Sequence, residues 1–167
     1  MKFSTVFTTA ASLLVANAAP AAPQGAQTDI GLEVETLNRD INHFGLTSKH
    51  EGAGFNGVFF DQQGVDFKLD PTKSQIYQVI NGEYYGLSIG PDNFVLAAIS
   101  YAPGKFDLVD GYLGVNNSAE GWAACKNIVD SNDMYHYSKN EYALMKYPDD
   151  KAIPDDCSLL RLKVHQK

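Results

Sequence analysis

Gln75-Ile76-Tyr77-Gln78-Val79-Ile80-Asn81-Gly82-Glu83-Tyr84-Tyr85-Gly86-Leu87-Ser88-Ile89 is the stretch that decides the fold class. β-Branched and aromatic residues flank Asn81-Gly82, and these two residue types accept the positive φ that a type I′ turn demands. The segment therefore reads as a hairpin joining a strand over 75–80 to one over 83–89. Outward from it, short apolar runs recur at 57–60, 65–69, 94–99, 106–109, 141–146 and 159–164, each bounded by Gly, Asn, Asp or Pro. In the last run Leu160, Leu162 and Val164 alternate with Arg161 and Lys163, the pattern of a half-buried strand. Residues 32–43 fit a short helix through Leu37 and Ile41 or a strand through Ile30, Leu32 and Val34, and the pattern does not choose.

An internal echo pairs Phe44-Gly45-Leu46-Thr47-Ser48 with Tyr85-Gly86-Leu87-Ser88-Ile89, and Phe67-Lys68-Leu69-Asp70 with Phe106-Asp107-Leu108-Val109, at spacings of about 40 residues. A third copy, sought in 126–165, does not stand out. The expectation is an all-β protein, a single antiparallel barrel or sandwich with one disulfide. A β-trefoil-like topology is the preferred arrangement. The 14 glycines, 7 prolines, 9 tyrosines and 9 phenylalanines suit turns and strands better than long helices.

Lys2, the apolar run that follows it and Ala16-Asn17-Ala18 read as a signal peptide over 1–18. Residues 19–28 read as a flexible leader and 29–167 as one β domain. No apolar run approaches the ~20 residues needed to cross a bilayer, and the C-terminal residues lack a lipid-anchor tail, so no membrane anchor is expected. A net charge of −7 argues against nucleic acid as a partner. Two cysteines in an exported chain, Cys125 and Cys157, allow one pairing. The loop of about 33 residues that it closes contributes about 3.5–4 kcal/mol in the chain-entropy account. Asn116-Asn117-Ser118 is an N-glycosylation sequence beside a glycine-punctuated stretch, which makes Asn116 a candidate glycan site.

Gly86-Leu87-Ser88-Ile89-Gly90 matches the nucleophile elbow of serine hydrolases, but that device needs a strand-to-helix turn in a parallel sheet, whereas Pro91-Asp92-Asn93 reads as a turn. A glycine-flanked strand end is the preferred reading. The histidines at 43, 50, 136 and 165 lack metal-ligand spacing and read as solvated. The acidic stretches Asp130-Ser131-Asn132-Asp133, Asp149-Asp150 and Asp155-Asp156 lack the ligand order of a calcium loop. No metal, cofactor or catalytic residue is expected. Trp122, Tyr112, Tyr135, Tyr137, Tyr142 and Tyr147 crowd the C-terminal third, where exposed rings can stack on sugars. Tyr112, Trp122, Tyr135 and Tyr137 are the candidate carbohydrate contacts.

Gly121-Trp122-Ala123-Ala124-Cys125, Tyr142-Ala143-Leu144-Met145-Lys146-Tyr147 and Asp155-Asp156-Cys157, running into Leu160-Arg161-Leu162-Lys163-Val164, resemble the ending of small exported fungal proteins. These are the phialide-type cell wall proteins, the IgE-binding antigens similar to them and, more distantly, the C-terminal domain of yeast wall proteins with internal repeats. Phe44-Gly45-Leu46, Asn81-Gly82 and Asp110-Gly111-Tyr112-Leu113-Gly114 sit in matching order, so the resemblance spans about residues 44–165. It implies a secreted, extracellular or wall-associated protein without known catalysis, with the two cysteines paired. The glutamine repeats of the yeast group are absent, which argues against covalent glucan linkage. The expected function is a non-enzymatic structural or interaction protein of the wall, with wall polysaccharide the candidate partner. The rival reading is a lectin-like, carbohydrate-binding effector.

Overall fold

Asn81 and Gly82 both take the left-handed conformation, with φ of 52° and 85°, and turn the chain between β5 (Gln75–Ile80) and β6 (Glu83–Ile89). Ile80 faces Glu83 across this two-residue turn, as the sequence predicts. The computed structural model describes residues 26–167 apart from 53, 100, 129–134 and 150. The expected signal peptide, residues 19–25 of the leader, the 130–133 stretch and Asp150 lie outside the described residues.

The remaining strands are β1 (Thr28–Thr36), β2 (Gly45–Gly52), β3 (Phe55–Asp61), β4 (Phe67–Asp70), β7 (Val95–Ala98), β8 (Asp107–Val109), β9 (Tyr112–Gly114), β10 (Trp122–Cys125), β11 (Ala143–Lys146) and β12 (Ser158–Gln166). Among the described residues the one helical piece is a 3₁₀ turn at Tyr137–Lys139. Nine strands form a closed antiparallel ring in the order β1-β4-β5-β6-β7-β3-β11-β10-β12, and β12 returns to β1. The open question at 32–43 resolves toward strand. Ile30, Leu32 and Val34 point into the core along β1, and the chain turns after Thr36, where the Asn42 side chain accepts the Thr36 N–H. Leu37 gains no core contact and is fully exposed.

The strands fall into three units of four, β1–β4, β5–β8 and β9–β12. In each the second and third strands pair (β2–β3, β6–β7, β10–β11) and the fourth pairs with the first of the next unit (β4–β5, β8–β9, β12–β1). This is the trefoil-like arrangement, although among the described residues β5 and β8 of the second unit do not pair. The third strands of the units meet one another: Gly57 of β3 pairs with Leu96 of β7, Phe59 of β3 with Ala143 of β11, and Phe94 bridges to Met145. Phe55, Phe59, Phe94, Leu96, Ala123, Cys125 and Met145 form a core cluster of their own over this cap. The principal core fills the barrel with Leu32, Val34, Leu46, Phe67, Leu87, Phe106, Trp122 and Leu162 among others.

A glycine followed by a large apolar residue marks the second strand of two units and the entry to the matching strand of the third: Gly45-Leu46, Gly86-Leu87 and Gly121-Trp122. Each glycine is required by close approach. A Cβ would stand 2.6 Å from Gly64 Cα at position 45, 2.5 Å from Pro103 Cγ at position 86 and 2.3 Å from the Tyr147 carbonyl oxygen at position 121. The missing third copy of the echo therefore begins at Gly121, upstream of the window in which the repeat was sought. Long connections on both sides of β11 displace its later strands from the 40-residue spacing.

Cys125 ends β10 and Cys157 precedes β12, and the two are joined by a disulfide with Cα atoms 4.4 Å apart. The bridge spans both long connections of the third unit. Reducing it restores freedom to about 33 residues of unfolded chain, so the melting temperature is expected to fall by the equivalent of about 3.5–4 kcal/mol. Calorimetry with and without reductant measures this; an unchanged melting temperature contradicts it. Trp122 is wholly buried and its Nε1–H donates to the Leu113 carbonyl at 2.8 Å. Trp122→Phe is expected to cost about 1–2 kcal/mol in urea denaturation, because it removes that bond and leaves a small void.

Candidate functional site

Two outer surfaces gather polar and aromatic groups. The first lies where the long connection before β11 returns over β2 and β3. Tyr135 is half exposed, and its ring centroid lies 5.6 Å from that of Tyr137 and 6.4 Å from that of His50. Tyr137 is anchored edge-on against the buried Phe59 at 5.8 Å, so the shelf stands on the cap core. Lys49 Nζ lies 5.3 Å from the centre of the Tyr137 ring and pairs with the Glu141 carboxylate. The arrangement offers an apolar ring face beside charged hydrogen-bonding groups, the combination that grips a sugar ring between its C–H face and its hydroxyls.

The second surface is the outer face of the β1–β12 seam. Alternation that sends Leu32, Val34, Leu160 and Leu162 inward sends Glu33, Glu35, Arg161, Lys163 and His165 outward. His43 Nδ1–H donates to Glu33 Oε1 at 2.7 Å, and His165 Nε2–H donates to Glu33 Oε2 at 2.9 Å. The His43 bond is the main cause, with the His165 bond adding to it, that holds the Glu33 carboxyl below its ordinary range. Tyr112 Oη–H donates to Glu35 Oε2 at 2.7 Å and Lys163 Nζ donates to Glu35 Oε1 at 3.0 Å. Both bonds lower the Glu35 pKa, the tyrosine first, and the tyrosine hydroxyl is raised in return. Arg161 lies over the Tyr112 ring at 5.7 Å. Beside Glu33, a cleft of about 230 Å3 is lined by His43, Gln62, Gln63, His165 and Lys167 among others.

The four candidate carbohydrate contacts therefore separate. Tyr135 and Tyr137 sit together, and Tyr112 lies on the seam under Arg161. Trp122 is corrected: with no exposed surface it has no face to offer a ligand, and it belongs to the core. Sequence order crowded these rings, but strand alternation distributes them. The histidine pair on Glu33 escaped the sequence reading because His165 arrives through the register of the seam and His43 through the connection after β1, folded back by its N–H bond to the Val34 carbonyl. Ser88 lies inside β6, buried and paired with Leu96 of an antiparallel neighbour, so the elbow geometry is not formed. Gly86 is there to admit Pro103. Among the described residues no group of three His, Cys, Asp or Glu is placed to hold a metal ion. No helix among them is long and apolar enough to cross a membrane.

A family model described as a domain of unknown function, DUF7907, matches residues 27–165, the whole ring of strands. The chain belongs to the DUF7907 family. Curated relatives include the Candida albicans cell wall protein PGA31, 38% identical over 156 residues that cover 89% of this chain and 50% of the relative. The cell wall protein RHD3 of the same organism is 30% identical over 140 residues, covering 76% of this chain and 62% of the relative. The cell wall protein PGA30, again from that organism, is 28% identical over 154 residues, covering 89% and 52%. The chain thus spans between 50% and 62% of the length of these relatives. No solved structure matches it. The resemblance to small fungal cell wall proteins holds, and this DUF7907 chain is a cell wall or extracellular protein.

Because the Glu33 carboxyl is held below its ordinary range, its bonds to His43 and His165 stabilise the fold above the ordinary glutamate pKa of about 4.3. That contribution is lost as pH falls through the lowered value. Glu33→Gln is expected to melt below the parent protein at pH 6 and to converge with it in strongly acidic buffer. Thermal denaturation of the two proteins across pH reads the difference; a gap that widens toward acid contradicts the assignment.

Proposed function

We propose that the protein is a non-enzymatic structural or interaction component of the fungal cell wall that touches wall polysaccharide through the Tyr135–Tyr137–His50 shelf. The observation that carries this reading is the half-exposed Tyr135 ring, braced by Tyr137 on the cap core and bordered by the Lys49–Glu141 pair. A ring held in place from below loses little side-chain freedom when a sugar stacks on it, so contact costs little ordering entropy. The wall relatives and the strand-bound Ser88 support a role in adhesion or spacing rather than hydrolysis. Attachment is non-covalent in this reading. The lectin-like alternative uses the same shelf and differs in strength and selectivity of binding.

The purified protein is expected to be retained on at least one of insoluble β-glucan, chitin or mannan. Tyr135→Ala should weaken retention by about tenfold, the equivalent of about 1.4 kcal/mol, while leaving the melting temperature unchanged. Sedimentation binding isotherms on each polymer provide the measurement. Preference for one polymer at micromolar affinity selects the lectin-like form. Equal recovery of parent and variant, or no retention on any polymer, overturns the shelf as the contact.

A further inference from the structure

Among the described residues the sheet leaves β8 at an open edge. β8 pairs with β9 through Asp107↔Gly114, Leu108↔Leu113 and Val109↔Tyr112, and it ends the sheet order with no second strand partner among the described residues. Just before the strand, the Phe106 N–H donates to the Ser74 carbonyl and the Gly104 N–H to the Leu87 carbonyl, each at 2.7 Å, which ties the approach to β8 to the sheet but not β8 itself. Leu108, at the centre of this edge strand, is 50% exposed. A half-exposed leucine on a strand that ends the sheet order is the combination that invites a second chain to add as a strand.

The Asn116-Asn117-Ser118 sequence lies beside this edge. Val115 N–H donates to the Ser118 carbonyl at 2.8 Å and Ser118 N–H returns to Val115 at 3.2 Å, closing a two-residue turn. Asn116 and Asn117 occupy its tip with φ of 55° and 60°, the left-handed pair of a type I′ turn. Both are exposed, which leaves the Asn116 amide open to solvent at the tip of the turn. The Asn117 N–H donates to Asp107 Oδ2 at 2.7 Å, which ties the turn to the first residue of β8.

We propose that Asn116 carries an N-linked glycan and that this glycan caps the open edge of β8. The Asn116 Nδ2 forms a C–N bond to the anomeric carbon of a polyprenyl-diphosphate-linked oligosaccharide. The bond from that carbon to the diphosphate oxygen breaks, the polyprenyl diphosphate departs and one amide proton is released. A bulky, hydrated chain rooted one tight turn from Asp107 covers Leu108 and denies the edge to a second copy of this protein. The inference rests on export of the chain and is independent of the aromatic shelf.

The test uses full-length protein secreted from a fungal host. Intact mass before and after native treatment with peptide N-glycosidase is expected to drop, with the released site mapping to Asn116, and Asn116→Asp is expected to show no drop. Asp tolerates the left-handed turn, so this variant keeps the backbone; the enzymatically treated parent protein is a second route to the bare form. Both bare forms should keep the parent fold by circular dichroism. They should lose most of their monomer peak in size-exclusion chromatography at concentrations where the glycosylated protein is wholly monomeric. Adding Leu108→Lys to Asn116→Asp should restore the monomer. Secreted protein without a mass change overturns the glycan. Glycosylated protein whose bare form stays monomeric overturns the capping role.

Discussion

Seven residues of β1, Ile30 to Thr36, lie in register with Gln166 to Leu160 of β12, and the barrel exists only when this pairing is made. The two strands come from opposite ends of the chain, so their contact closes the longest loop in the molecule and carries a correspondingly large entropy cost. What offsets it is the inner face. Ile30, Leu32, Val34, Leu160 and Leu162 leave water together, and once they do, every other strand of the ring has both neighbours fixed. A fold whose first and last strands must meet is rich in non-local contacts, which places it among slow-folding β proteins. The outer face of the same seam is a by-product of that alternation. The register sets Glu33 opposite Lys163 and Glu35 opposite Arg161, and the bonds run along the diagonal, Glu33 to His165 and Glu35 to Lys163, with His43 and Tyr112 reaching in from outside the seam.

The three units solve one packing problem three times and differ in how much chain they use. In each, a glycine lets the backbone pass close to another segment and the next residue fills the barrel with Leu46, Leu87 or Trp122. The third unit takes the largest side chain and the longest connections. It is also the unit that carries the disulfide, between the end of β10 and the start of β12. That placement has a physical logic: the added chain length raises the entropy of the unfolded state, and the cross-link removes much of that entropy again. The insertion and the bridge belong together, and the exposed Tyr135 sits on the insertion.

The hairpin at Asn81-Gly82 and the strand from Leu160 to Val164 were legible because each declares itself within a few residues, through turn chemistry in one case and strict alternation in the other. The 40-residue echo was legible in two units for the same reason. Its third copy was hidden because Trp122 replaces leucine and because the insertion breaks the spacing, while the small residues Ala123 and Ala124 give β10 little strand signal. β2 was missed as well, since Thr47, Ser48, Lys49, His50 and Glu51 make a polar stretch with no apolar alternation to read. The functional surface was legible in kind but not in membership. Composition could say that aromatic residues crowd the last third, yet burial decides which of them can be used, and burial is settled by strand register across the barrel. Trp122 went to the core for that reason, and Glu33 acquired its two histidines for the same one.

The division between core and surface bears on what such a domain can do in a wall. The closed ring holds its strands on both sides, and the cap ties the three units together through Gly57, Phe59, Phe94 and Met145. Ser88, the serine of the hydrolase-like sequence pattern, is locked into a ladder opposite Leu96 and not into a strand-to-helix turn. The exposed features sit on the connections. The insertion before β11 supplies the tyrosine shelf, the turn after β9 supplies the sequon, and the short connection after β1 supplies His43. A barrel that presents distinct loop features in different directions separates the groups it exposes, because each loop is rooted at a different strand end.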